Sequence, residues 1–329
     1  MPVIETALTR LLGIEHPILL APMGSAAGGR LAAAVTHAGG LGLVGSGLAN
    51  ADTIRKELTE AGNARVGIGF IIWALEKNPA ALDVALDAKP AAVMLSFGDP
   101  TPFTGRIKQA GCKIICQVQT LTQAEEAAAA GADIIIAQGR DAGGHSGMTR
   151  GTIGLVPAVV DAVAPIPVVA AGGIADGRGV AAALALGAAG VSMGTRFTAS
   201  RESLWDQAMK AATLAAGGDQ TAQTRVFDIV RGTPWPSIYP GRALRNEFSA
   251  HWHGREATLA AEQPAQERAY LATAPDDFGT RVVWAGEGVD LVKDTPPASE
   301  IIERIIAEAA ATLMHGAGLV RQTALGARS

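Results

Sequence analysis

A single histidine, His145, lies in a loop of small residues. Residues 134–147 read IIIAQGRDAGGHSG, an apolar run that ends at Gln138 and is followed by four glycines around the imidazole. An imidazole titrates near neutral pH, so it can accept a proton or hold an anion. Glycines allow sharp turns and close approach of the backbone to a ligand. Of the six histidines, His145 is therefore the best candidate for a catalytic residue.

Two later apolar runs also end in glycine-rich loops. The sequences are PVVAAGGIADG, from residue 167, and GVSMGTRF, from residue 190. Exposed backbone N–H groups in such loops can bind a phosphate. The predicted phosphate ligands are Gly172, Gly173, Gly194 and Thr195. Either loop alone is explained by a tight turn, whereas the pair favours a phosphorylated cofactor.

Two glutamines stand at the ends of neighbouring apolar runs. Gln117 follows KIIC and Gln138 follows DIIIA. One amide group both donates and accepts hydrogen bonds, which suits the edge of a flat heteroaromatic ring. Hydrogen bonding at the rim of a barrel is the alternative role for either side chain.

The elements that must position these residues alternate regularly. Eight short apolar runs are separated by helix-length segments, which is typical of parallel strands buried on both faces. The predicted strands span 17–21, 41–44, 65–70, 91–96, 113–118, 133–138, 167–171 and 190–194. The pattern predicts an α/β fold of the (β/α)8 TIM-barrel type, with an open doubly wound sheet as the alternative. In such barrels the active site lies at the carboxyl ends of the strands.

This alternation stops after residue 199. Residues 200–285 are richer in charge and aromatic side chains, and they predict a mainly helical, substrate-side insertion or lid between the eighth strand and the last helix. Residues 1–199 and 286–329 would form the barrel. Ser299 is predicted to cap the last helix.

Composition excludes several classes of protein. The net charge is −4 and charged residues make up 18% of the chain, so no basic field attracts nucleic acid or an anionic membrane. Cys112 and Cys116 lack further ligands of the kind a metal site needs, and no metal is predicted. The N-terminus has no signal-peptide pattern, so we expect a cytoplasmic protein. A homodimer is left open.

Three segments together resemble the nitronate monooxygenase family, formerly called 2-nitropropane dioxygenases. They read APMGSAAGGRLAAAVTHAGGLGLVG, QGRDAGGHSG and PVVAAGGIADGRGVAAALALGAAGVSMGTRF. The resemblance implies an FMN-dependent barrel in which His145 is the catalytic histidine. It also implies cofactor contacts at Pro22, Met23, Gly24, Gly69, Gln117, Gln138, Gly143, Gly144, Gly172, Gly173, Ser192, Met193, Gly194 and Thr195. Ser146 and Trp284 are the implied substrate contacts.

The sequence departs from the family at two strand ends. Gly69 stands where members often have Asn, and Gln117 where they often have Lys. A cationic Lys would stabilise reduced, anionic flavin, and the neutral amide of Gln117 does so less.

Three functions follow as hypotheses. The first is oxidation of an alkyl nitronate, or of a nitroalkane, by O2 and FMN to a carbonyl compound and nitrite. The second is NAD(P)H-dependent reduction of quinones or enoyl thioesters on the same flavin, although no G-x-G-x-x-G fingerprint supports a dinucleotide fold. The third is a flavin-free barrel that binds a phosphosugar or nucleotide.

Overall fold

Eight parallel strands form a closed barrel in a computed structural model, which describes residues 2–320. In chain order the strands of this barrel are β1 (Ile18–Leu20), β2 (Leu43–Gly45), β3 (Gly67–Ile71), β4 (Ala92–Ser96), β5 (Lys113–Val118), β6 (Ile134–Gln138), β8 (Val168–Ala171) and β9 (Gly190–Met193), while β7 (Gly144–His145), β10 (Thr221–Thr224) and β11 (Gly241–Leu244) form a second sheet. The barrel order is β1-β9-β8-β6-β5-β4-β3-β2, and a parallel bridge from Leu19 to Leu41 closes it. The predicted (β/α)8 barrel is confirmed, since an open sheet would lack this bridge.

Helices surround the barrel and fill the insertion. They are α1 (Ala7–Leu12), α2 (Gly29–His37), α3 (Ala51–Glu60), α4 (Ile72–Leu75), α5 (Ala80–Asp87), α6 (Thr101–Gln109), α7 (Leu121–Ala129), α8 (Thr152–Val163), α9 (Gly177–Ala185), α10 (Thr195–Thr198), α11 (Gln207–Ala215), α12 (Val226–Val230), α13 (Glu247–Trp252), α14 (Glu256–Ala261), α15 (Gln263–Ala272) and α16 (Ala298–Gly318). Two short 3-10 helices span Gly218–Gln220 and Glu287–Leu291.

Alternate side chains of the barrel strands enter two separate cores. One set packs outward against the helices, and the other fills the barrel interior. Helix α1 covers the amino end of the barrel, where Leu8 and Leu12 join the interior core. Each fully buried Leu stabilises the fold by about 1.5–3 kcal/mol through the hydrophobic effect. The amino end is therefore filled, and the carboxyl ends of the strands remain available for a site.

The last helix returns to the barrel after the insertion. Helix α16 packs against α9 and α2, so it occupies the eighth helical position of the ring. The predicted cap at Ser299 is wrong, because the helix begins at Ala298 and Ser299 lies within its first turn. A carboxylate oxygen of Glu202 accepts a hydrogen bond of 3.0 Å from the Ala298 N–H and satisfies that donor in its place.

The insertion is mostly helical, but it contains two strands that the sequence did not predict. Strand β11 pairs antiparallel with β10 on one edge and with β7 on the other. Phe227, Trp252 and Tyr270 lie in a separate small core of this region. The strands are four residues long and lack strict apolar alternation, which explains why no periodic pattern indicated them.

Candidate active site

A cavity of about 350 Å³ opens at the carboxyl ends of the barrel strands. Its volume is typical of a small-molecule site. Most of the predicted site residues line it. They are Pro22, Met23, Gly24, Gly69, Gln117, Gln138, Gly143, Gly144, His145, Gly172, Gly173, Ser192, Gly194, Thr195 and Trp284.

Two predicted site residues do not line this cavity. Met193 is fully buried and packs outward with the helices, because it points opposite to Ser192 on the same strand. Ser146 is also fully buried, and its hydroxyl accepts a hydrogen bond of 3.0 Å from the Gln223 amide. Their side chains thus serve packing and the second sheet, and neither position supports a side-chain contact with a ligand.

The loops after β8 and β9 present backbone rather than side chains. Gly172 and Gly173 have φ angles of 111° and 68°, a conformation that favours glycine. The backbone N–H groups of Gly173, Gly194 and Thr195 donate to no acceptor among the described residues. Unpaired N–H groups at a cavity wall are donors for an anion, as the sequence predicted for a phosphate.

Close backbone packing explains two further glycines. A Cβ atom at Gly69 would lie 2.3 Å from Cγ of Pro22, so the ends of β3 and β1 can approach only without a side chain there. At Gly143 a Cβ would lie 2.5 Å from the backbone nitrogen of Gly286. This second contact joins the histidine loop to the segment that returns from the insertion.

The two predicted glutamines belong to one amide network. The side-chain oxygen of Gln138 accepts hydrogen bonds from Gln117, at 3.2 Å, and from Gln119, at 2.9 Å. Its nitrogen donates to the backbone oxygen of His145 at 3.0 Å. Gln138 therefore fixes the histidine loop, while the oxygen of Gln117 is left for another donor.

His145 is held by a carboxylate of the insertion. Its Nε2 lies 2.9 Å from Oδ2 of Asp228, and both side chains are nearly buried. Asp228 also receives a hydrogen bond of 3.2 Å from Arg231. Strand β7 carries His145 and pairs with β11, so the second sheet joins the histidine loop to the insertion. A carboxylate only accepts hydrogen bonds, so Nε2 is the protonated nitrogen and Nδ1 of a neutral imidazole carries the lone pair.

Aromatic rings fix the plane of this imidazole. The ring of Trp235 stacks on His145 with centroids 3.5 Å apart and planes inclined by 6°. Trp284 lies 5.1 Å away on a tilted plane and packs on Gly241, where a Cβ would lie 2.3 Å from the indole. Phe97 contacts Trp235 edge-on at 5.1 Å. The histidine is thus oriented by stacking as well as by Asp228.

Three polar atoms on the cavity wall have no hydrogen-bond partner among the described residues. They are Oγ of Ser46, Oγ of Ser192 and Nε1 of Trp205, all buried. Buried polar atoms are normally hydrogen-bonded, so these three are available to pair with a bound molecule.

Sequence reasoning missed Asp228, Arg231 and Trp235. They follow His145 by more than eighty residues in RVFDIVRGTPW, where no spacing marks them as its partners. His251 and His253, the other histidines of the insertion, are exposed and do not line the cavity.

No group of three metal-ligating side chains occurs in residues 2–320. Burial raises the pKa of the Cys116 thiol to about 12, which keeps it protonated.

Across residues 2–320, none of the helices is both long and apolar enough to span a bilayer.

Comparison with known proteins gives matches along nearly the whole chain. A (3aS,4S,5R,7aS)-5-hydroxy-7a-methyl-1-oxo-octahydro-1H-indene-4-carboxyl-CoA dehydrogenase from Mycobacterium tuberculosis is 32% identical, with 96% of this chain and 99% of that protein covered. A nitronate monooxygenase from Neurospora crassa is 34% identical, with 93% of each covered. The structure of FabK from Thermotoga maritima superposes with a TM-score of 0.83 at 36% identity, over 96% of this chain and 100% of that one.

The family model for nitronate monooxygenase matches residues 5–67 and 71–308. This match spans the barrel, the histidine loop and the insertion that supplies Asp228. The chain therefore belongs to the nitronate monooxygenase family of flavin-dependent oxidoreductases.

Proposed function

We propose that this enzyme oxidises alkyl nitronates with FMN and O2 to carbonyl compounds and nitrite. The observation that carries the proposal is the His145–Asp228 pair beside a cavity that is lined in large part by glycines. The pair is suited to a nitro compound because its free nitrogen can either accept an α-proton or, once protonated, hold a nitro oxygen.

The residues of the cavity fit FMN. Unpaired N–H groups of Gly173, Gly194 and Thr195 would hold the phosphate. The unpartnered hydroxyls of Ser46 and Ser192 are available to the rest of the cofactor. When bound, FMN would take electrons from the substrate and transfer them to O2.

His145 has a different task for each ionic form of the substrate. Asp228 keeps the proton on Nε2, so Nδ1 is the atom that would remove the α-proton of a neutral nitroalkane. A nitronate has already lost this proton, and with it a protonated His145 serves as a donor to the nitro oxygens. Stacking on Trp235 keeps the imidazole in one plane for both tasks.

Nitrite release by purified holoenzyme tests the proposal. We expect nitrite and oxygen uptake with propionate 3-nitronate and, more slowly, with nitroethane. The absence of nitrite with both compounds would contradict the proposal. A colourless protein that releases no FMN on denaturation would exclude the cofactor and support a phosphosugar or nucleotide ligand instead.

A second candidate is NAD(P)H-dependent reduction of quinones or enoyl thioesters. It is favoured by the similarity of the chain to the CoA-ester dehydrogenase of Mycobacterium tuberculosis, which is as extensive as that to nitronate monooxygenases. Mixing the holoenzyme anaerobically with NADH or NADPH separates the two. Rapid bleaching of the flavin by NADH or NADPH supports the reductase, whereas bleaching only with a nitronate supports the proposed oxidation of nitronates.

A further inference from the structure

A buried arginine outside the cavity joins three segments of the chain around it. Arg242 lies on β11 opposite Gly144 of β7, and its side chain is 7% exposed. Its Nε donates to the backbone oxygen of Arg140, and its Nη1 donates to Oγ1 of Thr221, both at 3.1 Å. Its Nη2 forms an ion pair of 2.8 Å with Oε1 of Glu287. One guanidinium therefore holds the histidine loop, β10 and the segment that returns from the insertion.

The returning segment contacts the two predicted phosphate loops. It comprises residues 286–288, which read GEG. A Cβ at Gly288 would lie 2.5 Å from the backbone oxygen of Gly173, so the two backbones are in direct contact. The N–H of Gly286 donates to Oγ1 of Thr195 at 3.0 Å. The position of residues 286–288 therefore depends on the conformation of both loops.

The same three residues also contact the histidine loop. The N–H of Glu287 donates to the backbone oxygen of Asp141 at 3.0 Å. A Cβ at Gly286 would lie 2.8 Å from the backbone nitrogen of Gly143, so these two backbones are also in direct contact. Residues 286–288 therefore lie between the phosphate loops and the histidine loop, and the side chain of Glu287 reaches from them to β11.

The charge of the guanidinium makes this connection stiff. Burial lowers the pKa of Arg242, and the carboxylates of Glu287 and Asp141 oppose that shift. Glu287 forms the ion pair with it, so separating the two would leave a buried charge without its partner. A displacement of residues 286–288 is therefore passed to β11 and to the paired strand β7, which carries His145.

We propose that Arg242 couples binding of the FMN phosphate to the position of His145. A phosphate on the N–H groups of the two loops holds residues 286–288 in place, and Glu287 and Arg242 pass this constraint to β11 and β7. Arg242 acts through other residues, so it is a positioning residue. The inference rests on the proposed binding of FMN, and it adds that the cofactor site and the catalytic site assemble together. Such coupling acts equally in both directions.

A comparison of FMN with riboflavin in Arg242→Met tests the coupling. The two flavins differ only in the phosphate, so the ratio of their dissociation constants isolates its contribution. Fluorescence titration of the full-length apoprotein measures both constants. We expect the affinity for FMN to fall on the order of 10-fold in the variant and the affinity for riboflavin to change less than about 2-fold. Equal losses for the two flavins would mean general damage and would overturn the inference.

Amide hydrogen exchange measures the same coupling from the side of the insertion. In the native chain, FMN should slow exchange in β11 on the order of 10-fold more than riboflavin does. In Arg242→Met, FMN should still slow exchange around Gly173 and Thr195, but its advantage over riboflavin in β11 should be lost. Equal protection of β11 by the two flavins in the native chain would contradict the proposal.

Three further variants control for charge and folding. Arg245→Met removes the same charge from the exposed residue that follows β11, and it should leave both affinities as in the native chain. Glu287→Gln keeps the shape of the partner without its charge and should reproduce part of the loss of FMN. Arg242→Lys keeps the charge without the planar fork and should restore part of the preference for FMN. An unchanged preference in both Arg242→Met and Glu287→Gln would overturn the inference.

Turnover at saturating FMN separates the inference from the proposed function. Because His145 is less well placed in Arg242→Met, kcat should fall more with nitroethane than with ethyl nitronate. If nitrite is formed but FMN and riboflavin lose affinity equally, the inference fails and the proposed function stands. If no nitronate is oxidised but FMN affinity alone responds to Arg242→Met, the coupling stands and the proposed reaction fails. A chain that binds neither flavin would overturn both.

Discussion

The two sides of the cavity are built from different parts of the chain and from different groups. The barrel side presents backbone of glycine-rich loops, among them Gly143, Gly173 and Gly194. The insertion side presents large side chains, Arg231, Trp235 and Trp284, and behind them Asp228. Backbone N–H groups can bind a phosphate whatever the side chains around them are, whereas the side chains of the insertion would decide which molecule meets His145.

This contrast teaches where change is tolerated. At barrel glycines such as Gly143 a new side chain would meet backbone, which cannot move without shifting a loop. On the insertion side a substitution removes one interaction and leaves the fold of the barrel. We therefore expect insertion variants to alter rates and specificity, and barrel variants to alter cofactor binding and stability.

The largest effect is expected for His145→Asn, where the histidine loop of the barrel meets the insertion. The variant lacks a proton acceptor, so kcat/KM with neutral nitroethane should fall by roughly 10²–10⁴. The value for preformed ethyl nitronate should fall less, because that substrate needs no base. Nitrite assays on both compounds measure the difference, with His251→Asn at an exposed site as control. Unchanged turnover of nitroethane would refute the base role.

A smaller loss is expected for Asp228→Asn. The Asn amide is close in shape to the Asp carboxylate, but it does not keep the imidazole proton of His145 on Nε2. The kcat with nitroethane should therefore fall by about 10- to 100-fold. Steady-state rates on nitroethane and on ethyl nitronate check this. A positioning role predicts a larger loss with nitroethane. Equal losses on both compounds would instead indicate general damage to the insertion.

On the barrel side, Gly143→Ala should weaken FMN binding and the fold together. The new Cβ would lie 2.5 Å from the Gly286 nitrogen, and such overpacking costs about 1–3 kcal/mol. Urea unfolding and fluorescence of released flavin measure the two effects. Gly105→Ala in α6 is the matched control, because nothing lies within 4 Å of its Cβ; this helix-interior change should stabilise the fold by about 0.5–1 kcal/mol. Equal behaviour of the two variants would contradict the packing argument.

The smallest effect is expected at Gln117. In Gln117→Lys the ammonium group would stabilise the negative charge of the reduced flavin. The midpoint potential of the flavin should rise on the order of 30 mV, or about 1.4 kcal/mol for two electrons. Gln117→Glu should shift the potential the opposite way, and reductive titration of both variants measures the pair. Shifts of the same sign would mean that the residue does not face the flavin.

The barrel side could be read from local sequence. Each strand is a short apolar run, and each loop glycine follows its strand directly, so the rule that sites lie at the carboxyl ends was enough to group Gly173, Gly194 and His145. Met193 and Ser146 stay predictions as site residues, and strand alternation and the second sheet turn their side chains away from the cavity. The assignment of Gln138 to the cofactor stays a prediction, since its amide holds the histidine loop.

The sequence by itself determined the barrel and placed His145 and the glycine-rich loops at the carboxyl ends of its strands, because periodicity and glycine placement are local properties of a chain. Only the tertiary structure decided which groups act on that histidine. Asp228, Arg231 and Trp235 come to His145 because β7 pairs with β11 and α12 packs beside them, and pairing over such sequence separation depends on the folding of the whole insertion.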